Sequence, residues 1–199
     1  MTLSQGTARD LVIGMRVASP DGEITKSGGR VVKNVTGFDI AKLHIGALGT
    51  LGVILEASFK VWPIPKKDVT LVATYISLDE AIQATQELVQ SGDIPDAVEV
   101  VASGKVVSAY FRFLGTPIGV QSRLDETRRT LKSSNTQHME TLGSNEAIEA
   151  WQGITDFGWE NAEELLLRFG CLPSRTAALA EMVSSILSKE DLDITIVAG

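Results

Sequence analysis

The sequence is poor in the residues that staple or anchor a protein. Its 199 residues hold one cysteine, Cys171, which excludes an internal disulfide framework. They hold two histidines, His44 and His138, and no Cys/His cluster at zinc-ligand spacing, so no metal site is expected. No apolar run reaches the roughly 20 residues that span a bilayer. Met1 to Asp10 carry no apolar signal core. Excess positive charge is also missing. There are 18 Lys and Arg against 25 Asp and Glu, for a net charge of −7. That balance argues against a nucleic-acid partner, which requires a basic footprint. What remains is 44% hydrophobic and 22% charged, ordinary values for a folded chain rather than a disordered one. The expectation is a soluble, cytoplasmic protein of one or two domains with no membrane span.

The charge is unevenly divided. Residues 1–65 carry seven basic and five acidic side chains, a net of +2. Residues 66–199 carry eleven and twenty, a net of −9. Nine of the 18 glycines also fall in the first 65 residues, a third of the length. The change comes at Trp62-Pro63-Ile64-Pro65-Lys66-Lys67, where two prolines interrupt any regular element. A boundary is expected there, dividing 1–65 from 66–199.

Local patterning predicts the elements. Leu11 to Ala18 reads as a strand. Ser19-Pro20-Asp21-Gly22 reads as a turn and Glu23 to Lys26 as the return strand. Asp39 can cap a short helix through Ile40, Ala41, Leu43 and His44. Val53 to Val61 alternates as a strand. In the second part, strand 69–76 leads to a helix capped by Ser77 or Asp79 and closed by Ser91-Gly92. Strands 97–102 and 106–113 form a hairpin around Ser103-Gly104-Lys105. Helices are expected at 118–132, 144–157 and 173–188, with strands at 164–169 and 193–197. The predicted fold class is α+β, with helices laid on a mainly antiparallel sheet.

Gly46, Gly49 and Gly52 recur every three residues and lead into a strand. The spacing is not Gly-x-Gly-x-x-Gly before a helix, and no Gly-Lys-Ser/Thr follows, so the dinucleotide and Walker signatures are both absent. On spacing alone this is a tight helix-to-strand connection, or a place where a flat ligand approaches backbone.

Three blocks carry a more specific signal. They are Gly6-Thr-Ala-Arg9-Asp10-Leu-Val-Ile-Gly14; Gly28-Gly29-Arg30-Val-Val-Lys33-Asn34-Val-Thr-Gly37-Phe38-Asp39; and Leu43-His-Ile-Gly46-Ala-Leu-Gly49-Thr50-Leu-Gly52-Val53-Ile54. In this order they resemble the later half of the flavin-binding domain of FAD-linked oxidoreductases of the vanillyl-alcohol-oxidase, or PCMH, type. Within that type the resemblance is to the FAD-binding E subunits of bacterial glycolate oxidases. It is near-continuous over residues 6–65. Phe38 stands where tyrosine is usual, and Ala47-Leu48 replaces the more frequent Ser-Glu.

The resemblance implies an FAD cofactor whose ring lies against the Gly-Thr-Leu-Gly-Val-Ile segment. Gly52, Val53 and Ile54 carry over as cofactor-binding positions, followed by Gly46 and Thr50. Gly52 would matter because it removes a Cβ. Arg9-Asp10 matches an Arg-Asp pair of the family, for which turn capping or a salt bridge is the simpler role. The resemblance further implies that residues 1–65 are the second half of a flavin-binding domain and that 66–199 are an α+β cap. The segment holding the FAD pyrophosphate and a final flavin-domain segment are expected outside this chain, which would make it an interior piece. The implied activity is oxidation of a 2-hydroxy acid of glycolate type. The implied partners are a second flavin subunit and an iron–sulfur subunit.

No catalytic residue can be named from the sequence. Trp151, Phe157 and Trp159 are read as packing before substrate contact. His44 occupies a usually apolar or aromatic position and is read as a surface or packing residue. Cys171 is read as a buried small side chain. Arg112 and Arg168 could meet a carboxylate, but surface ion pairing is the stronger expectation. Two other readings stay open: a non-catalytic interaction module whose glycine segment is structural, and, more weakly, a solute-binding domain within 66–199.

Overall fold

Among the described residues of the computed structural model every strand pairing is antiparallel, and the strands divide between two sheets. The structure describes residues 6–30, 39–92, 94–156, 169–187 and 195–198. The chain folds as two compact units that part between Ile64 and Pro65.

The first unit opens with a single helical turn, α1 (Ala8–Leu11), followed by β1 (Val12–Ala18) and β2 (Ile24–Gly28). The Ser19–Gly22 turn joins these strands as expected, with Gly22 N–H donating to the Ser19 carbonyl at 2.9 Å. After the short helix α2 (Ala41–His44), β3 (Val53–Phe59) returns beside β1. The sheet order is β2-β1-β3, so β3 is an edge strand among the described residues. Arg9 and Ser27 hold α2 over the sheet. The Arg9 guanidinium donates to the Lys42 carbonyl at 3.2 Å, and Ala41 N–H donates to the Ser27 hydroxyl at 3.3 Å. The core beneath is small, consisting of Val12, Met15, Val17 and Ala41, with Ile45 against them. The middle of the expected motif, residues 31–38, lies outside the described residues.

The second unit contains β4 (Lys67–Tyr75), α3 (Leu78–Gln90), β5 (Ala97–Ser103), β6 (Val106–Gly115) and α4 (Pro117–Lys132). It continues with β7 (His138–Leu142), α5 (Ser144–Asp156), α6 (Thr176–Leu187) and β8 (Thr195–Ala198). The sheet order is β7-β4-β6-β5-β8. Ser77 caps α3 through Glu80 N–H, and Thr116 with Pro117 starts α4. Alternation puts Leu71, Ala73, Phe111 and Phe113 on one face of the sheet. Ala81, Ala84 and Leu88 of α3 and Val120, Leu124 and Leu131 of α4 cover that face. Each large side chain so buried is worth about 1.5–3 kcal/mol of transfer free energy.

The α+β expectation holds. Several details differ. β7 has no counterpart in the sequence reading. Among the described residues it is an edge strand, with polar His138, Glu140 and Thr141, held by pairing to β4, so its apolar alternation is weak. The helix expected from 173 begins at Thr176, after a 3₁₀ turn at Pro173–Arg175. Cys171 is exposed, because residues 169–172 form no strand to bury it. The strand expected at 164–169 lies outside the described residues but for Phe169, and Phe157, Trp159 and Arg168 lie outside them entirely.

Candidate functional site

The glycine segment between α2 and β3 builds a tight reversal. Ala47 N–H donates to the His44 carbonyl at 3.2 Å, and Thr50 N–H donates to the Ala47 carbonyl at 3.0 Å. The chain enters the left-handed region at Gly46, Leu48 and Gly49. Gly46 and Gly49 do so at no steric cost, and in both cases an added Cβ would meet open space. Leu48 is different. It holds φ +51° with its side chain 95% exposed, a conformation that costs a branched residue energy without any burial in return.

This reversal and the start of β3 enclose a hollow of about 260 Å³ lined by His44, Ala47, Gly49, Gly52, Val53 and Ile54. Three of the five residues expected at a cofactor site, Gly52, Val53 and Ile54, thus come together on its wall. Gly46 and Thr50 are not on the wall. The Thr50 hydroxyl is turned back to the Ala47 carbonyl at 2.7 Å and closes the reversal. His44, Ala47 and Gly49 line the hollow without having been picked out from the sequence as site residues. All three lie in the third motif block, and the three-residue glycine rhythm passes through Gly49, but neither signal singled any of them out.

Gly52 has an intramolecular reason to be glycine. Its φ is +150°, and a Cβ there would lie 2.7 Å from the Ala18 carbonyl oxygen and 2.9 Å from Val17 Cγ1. The missing side chain makes room for β1. The backbone of Gly52 is what faces the hollow.

The volume limits what fits. Complete sites for drug-sized ligands run to about 300–1,000 Å³. This hollow takes one flat moiety of a larger ligand against backbone and apolar side chains. Its wall has no Lys or Arg, so it suits a ring better than a phosphate.

The second unit offers a polar surface that is already paired. Arg112 forks onto Asp68, with Nε to Oδ1 at 3.0 Å and Nη2 to Oδ2 at 2.5 Å. These hydrogen bonds raise its pKa above the ordinary guanidinium value, while burial works against them. Trp151 Nε1 donates to the buried Thr70 hydroxyl at 2.9 Å. Its ring meets Tyr110 edge-on and lies beneath the Arg112 guanidinium. Trp151 therefore packs, and Arg112 serves an ion pair. A wider depression at Gly143, Ser144, Asn145 and Glu146 lies at the start of α5, where Glu146 accepts from Gly143 N–H. Asp10 also caps. Its carboxylate accepts from the Thr7 N–H and hydroxyl, both at 2.8 Å. Among the described residues no group of His, Cys, Asp and Glu could hold a metal ion, and no helix is long and apolar enough to cross a membrane.

No protein-family model matches the chain. Individual proteins do. Over 97 residues it is 38% identical to the glycolate oxidase subunit GlcD of Bacillus subtilis, covering 49% of this chain and 21% of that protein. Over 82 residues it is 42% identical to the glycolate oxidase subunit GlcE of Escherichia coli, covering 41% and 23%. A mitochondrial D-lactate dehydrogenase [cytochrome] of Arabidopsis thaliana aligns over 97% of this chain and 37% of its own length, at 27% identity. Among solved structures, alkyldihydroxyacetonephosphate synthase superposes with a TM-score of 0.60 at 17% identity. It covers 75% of this chain and 32% of that one, a likeness of fold. The chain thus spans between a fifth and two fifths of these relatives. Its homologues are FAD-linked oxidoreductases of the glycolate oxidase and D-lactate dehydrogenase group.

Proposed function

We propose that this chain supplies part of the FAD site of an oxidoreductase that acts on a 2-hydroxy acid of glycolate type, within a multi-subunit glycolate oxidase-like complex. Residues 1–65 are read as the second half of the flavin-binding domain and 66–199 as its cap. One observation carries the reading. The residues that the family resemblance marks for the cofactor, Gly52, Val53 and Ile54, share the wall of a single hollow.

Bound FAD would supply the hydride acceptor, and the protein's part is to bind and orient it. Gly52 to Ile54 present backbone at the head of an edge strand, where N–H and C=O groups are open to a ligand. Val53 and Ile54 are 65% and 48% exposed, so a flat ring laid on them removes apolar surface from water at about 25 cal/mol per Å². The same contact excludes solvent from that face of the ring. No described side chain is placed as an acid or base.

The experiment is FAD titration of the purified full chain, followed by anaerobic addition of glycolate or D-lactate. Bound flavin with a shifted absorption band, bleached by one of the two acids, is the expected result. Absence of flavin both from the chain alone and from the chain assembled with the rest of its flavin-binding domain would sink the cofactor reading. Bound flavin that neither acid bleaches would sink the substrate reading alone.

A second reading, an interaction module, is favoured by the exposed apolar side chains of the first unit. A stable complex with an oxidase subunit that forms without flavin in this chain would select it.

A further inference from the structure

His44 is the only residue on the wall of the hollow with a polar side chain, since Ala47, Gly49, Gly52, Val53 and Ile54 offer only backbone and hydrocarbon. The imidazole is half-buried. It makes no hydrogen bond or ion pair with any of the described residues. Lys42, two residues before it, pairs with Asp39 at 3.2 Å, and the Lys42 carbonyl is taken by Arg9. A neutral imidazole carries one donor and one acceptor, and partly buried polar groups of this kind are normally satisfied. An apolar or aromatic residue would fill this place without any such demand. A histidine there, beside the head of an edge strand and without a cation on the wall, suits a ligand that is flat, uncharged and rimmed with nitrogen and oxygen.

We infer that His44 is a ligand-contacting residue, hydrogen-bonding the heteroatom rim of a nitrogen heteroaromatic ring laid against Gly52–Ile54. The inference rests on the flavin reading and assigns it a polar contact. FAD has two such rings, the isoalloxazine and the adenine, and both share the required chemistry.

The test compares the full chain with His44→Phe and His44→Gln. Phenylalanine keeps the shape and removes the hydrogen bond, whereas glutamine restores a donor and an acceptor. FAD affinity is read by fluorescence quenching, and the bound flavin by its absorption maxima. One net hydrogen bond predicts FAD binding about threefold to tenfold weaker in His44→Phe, with recovery in His44→Gln. Riboflavin and AMP as competitors assign the ring: the one whose own binding weakens in His44→Phe is the one His44 meets. Unchanged affinity and spectrum in His44→Phe, with wild-type FAD binding intact, overturns the inference and leaves the flavin reading standing. No FAD binding by the wild-type chain, either alone or assembled with the rest of its flavin-binding domain, overturns both. If His44→Phe does not fold, His44→Ala judged against His44→Gln gives the same decision.

Discussion

The two units solve the same problem, covering an antiparallel sheet, to very different degrees. In the second unit α3 and α4 cover one face so fully that Leu71, Ala73, Phe111, Phe113, Leu88 and Leu131 show no exposed surface. In the first unit, among the described residues, only the single helical turns α1 and α2 pack against three strands. There Leu48, Val53, Leu55, Phe59 and Val61 are all at least half exposed. Apolar side chains in a row along an edge strand are unusual for a surface that meets only water. The second unit carries its own stability. The first has the composition of a buried layer and little to bury itself against. A dye that reports exposed apolar surface should bind to the first unit, and that binding should fall when Val53 and Phe59 are replaced by lysine.

The largest effect that tests this contrast is truncation of a phenylalanine in each unit. Phe111→Ala should cost about 3–5 kcal/mol and melt the second unit, since the ring is fully enclosed. Phe59→Ala, from a side chain 54% exposed, should stay within about 0.5 kcal/mol. Urea unfolding followed by circular dichroism reads both. Equal costs would show that Phe59 is covered in solution and would break the comparison.

Next in size is Gly52→Val, which should act within the first unit alone. Its Cβ would enter the space held by the Ala18 carbonyl, a backbone atom that cannot swing aside, so a loss on the order of 1–3 kcal/mol is expected. Amide exchange should quicken along β1 and β3 and stay unchanged along β4 to β6. Gly49→Ala adds its methyl to open space and pays only for the left-handed backbone, about 1 kcal/mol. A Gly52→Val protein as stable as wild type would mean that β1 and β3 do not pair as described.

Smaller again is Trp151→Phe in the second unit. It removes the indole donor from a Thr70 hydroxyl that has no exposed surface, at a cost of about 1 kcal/mol. The unfolding midpoint should shift accordingly. An unshifted midpoint would reduce Trp151 to a surface aromatic.

The same contrast explains what the sequence could and could not disclose. Where an element is covered, its pattern is strong. The Ser77 cap with apolar Ala81, Ile82 and Leu88 leaves little choice but a helix, and Ser103-Gly104-Lys105 between two apolar runs leaves little but a hairpin. Where an element is held by edge pairing alone, the pattern thins, and β7 was lost with it. The site followed a similar division. Gly52, Val53 and Ile54 were legible because they are consecutive and lie in a recognisable motif. His44 was not. It faces the hollow only because the chain turns through left-handed conformations at Gly46, Leu48 and Gly49, and nothing in the residue Leu48 announces that. Cys171 failed for a related reason. Its apolar neighbours suggested a strand, whereas Phe169 and Leu172 are themselves exposed.

The smallest expected effect is in pH, and it belongs to the first unit alone. The Asp10 carboxylate accepts from the Thr7 N–H and then from the Thr7 hydroxyl, and these bonds hold its pKa below the usual carboxylate value. Slight desolvation opposes them, and Lys42 and Arg9 add a little in the same direction as the bonds. A carboxyl whose folded pKa is depressed stabilises the fold above its unfolded pKa, about 3.9 for aspartate, and loses that contribution as pH falls through the lower folded value. The start of α1 should therefore hold at neutral pH and fray only in acid below about pH 4, seen as faster exchange at the amides of Thr7 and Asp10. Asp10→Asn should remove the acid dependence and show, already at neutral pH, part of the faster exchange at the start of α1 that the wild type shows only in acid. The pair Arg112–Asp68 in the second unit provides the control, because its bidentate bonds lie far from α1 in sequence and in the other sheet. If fraying at α1 in acid persisted in Asp10→Asn, the titrating group would have to be sought elsewhere, and the cap would be a contact without consequence for the first unit.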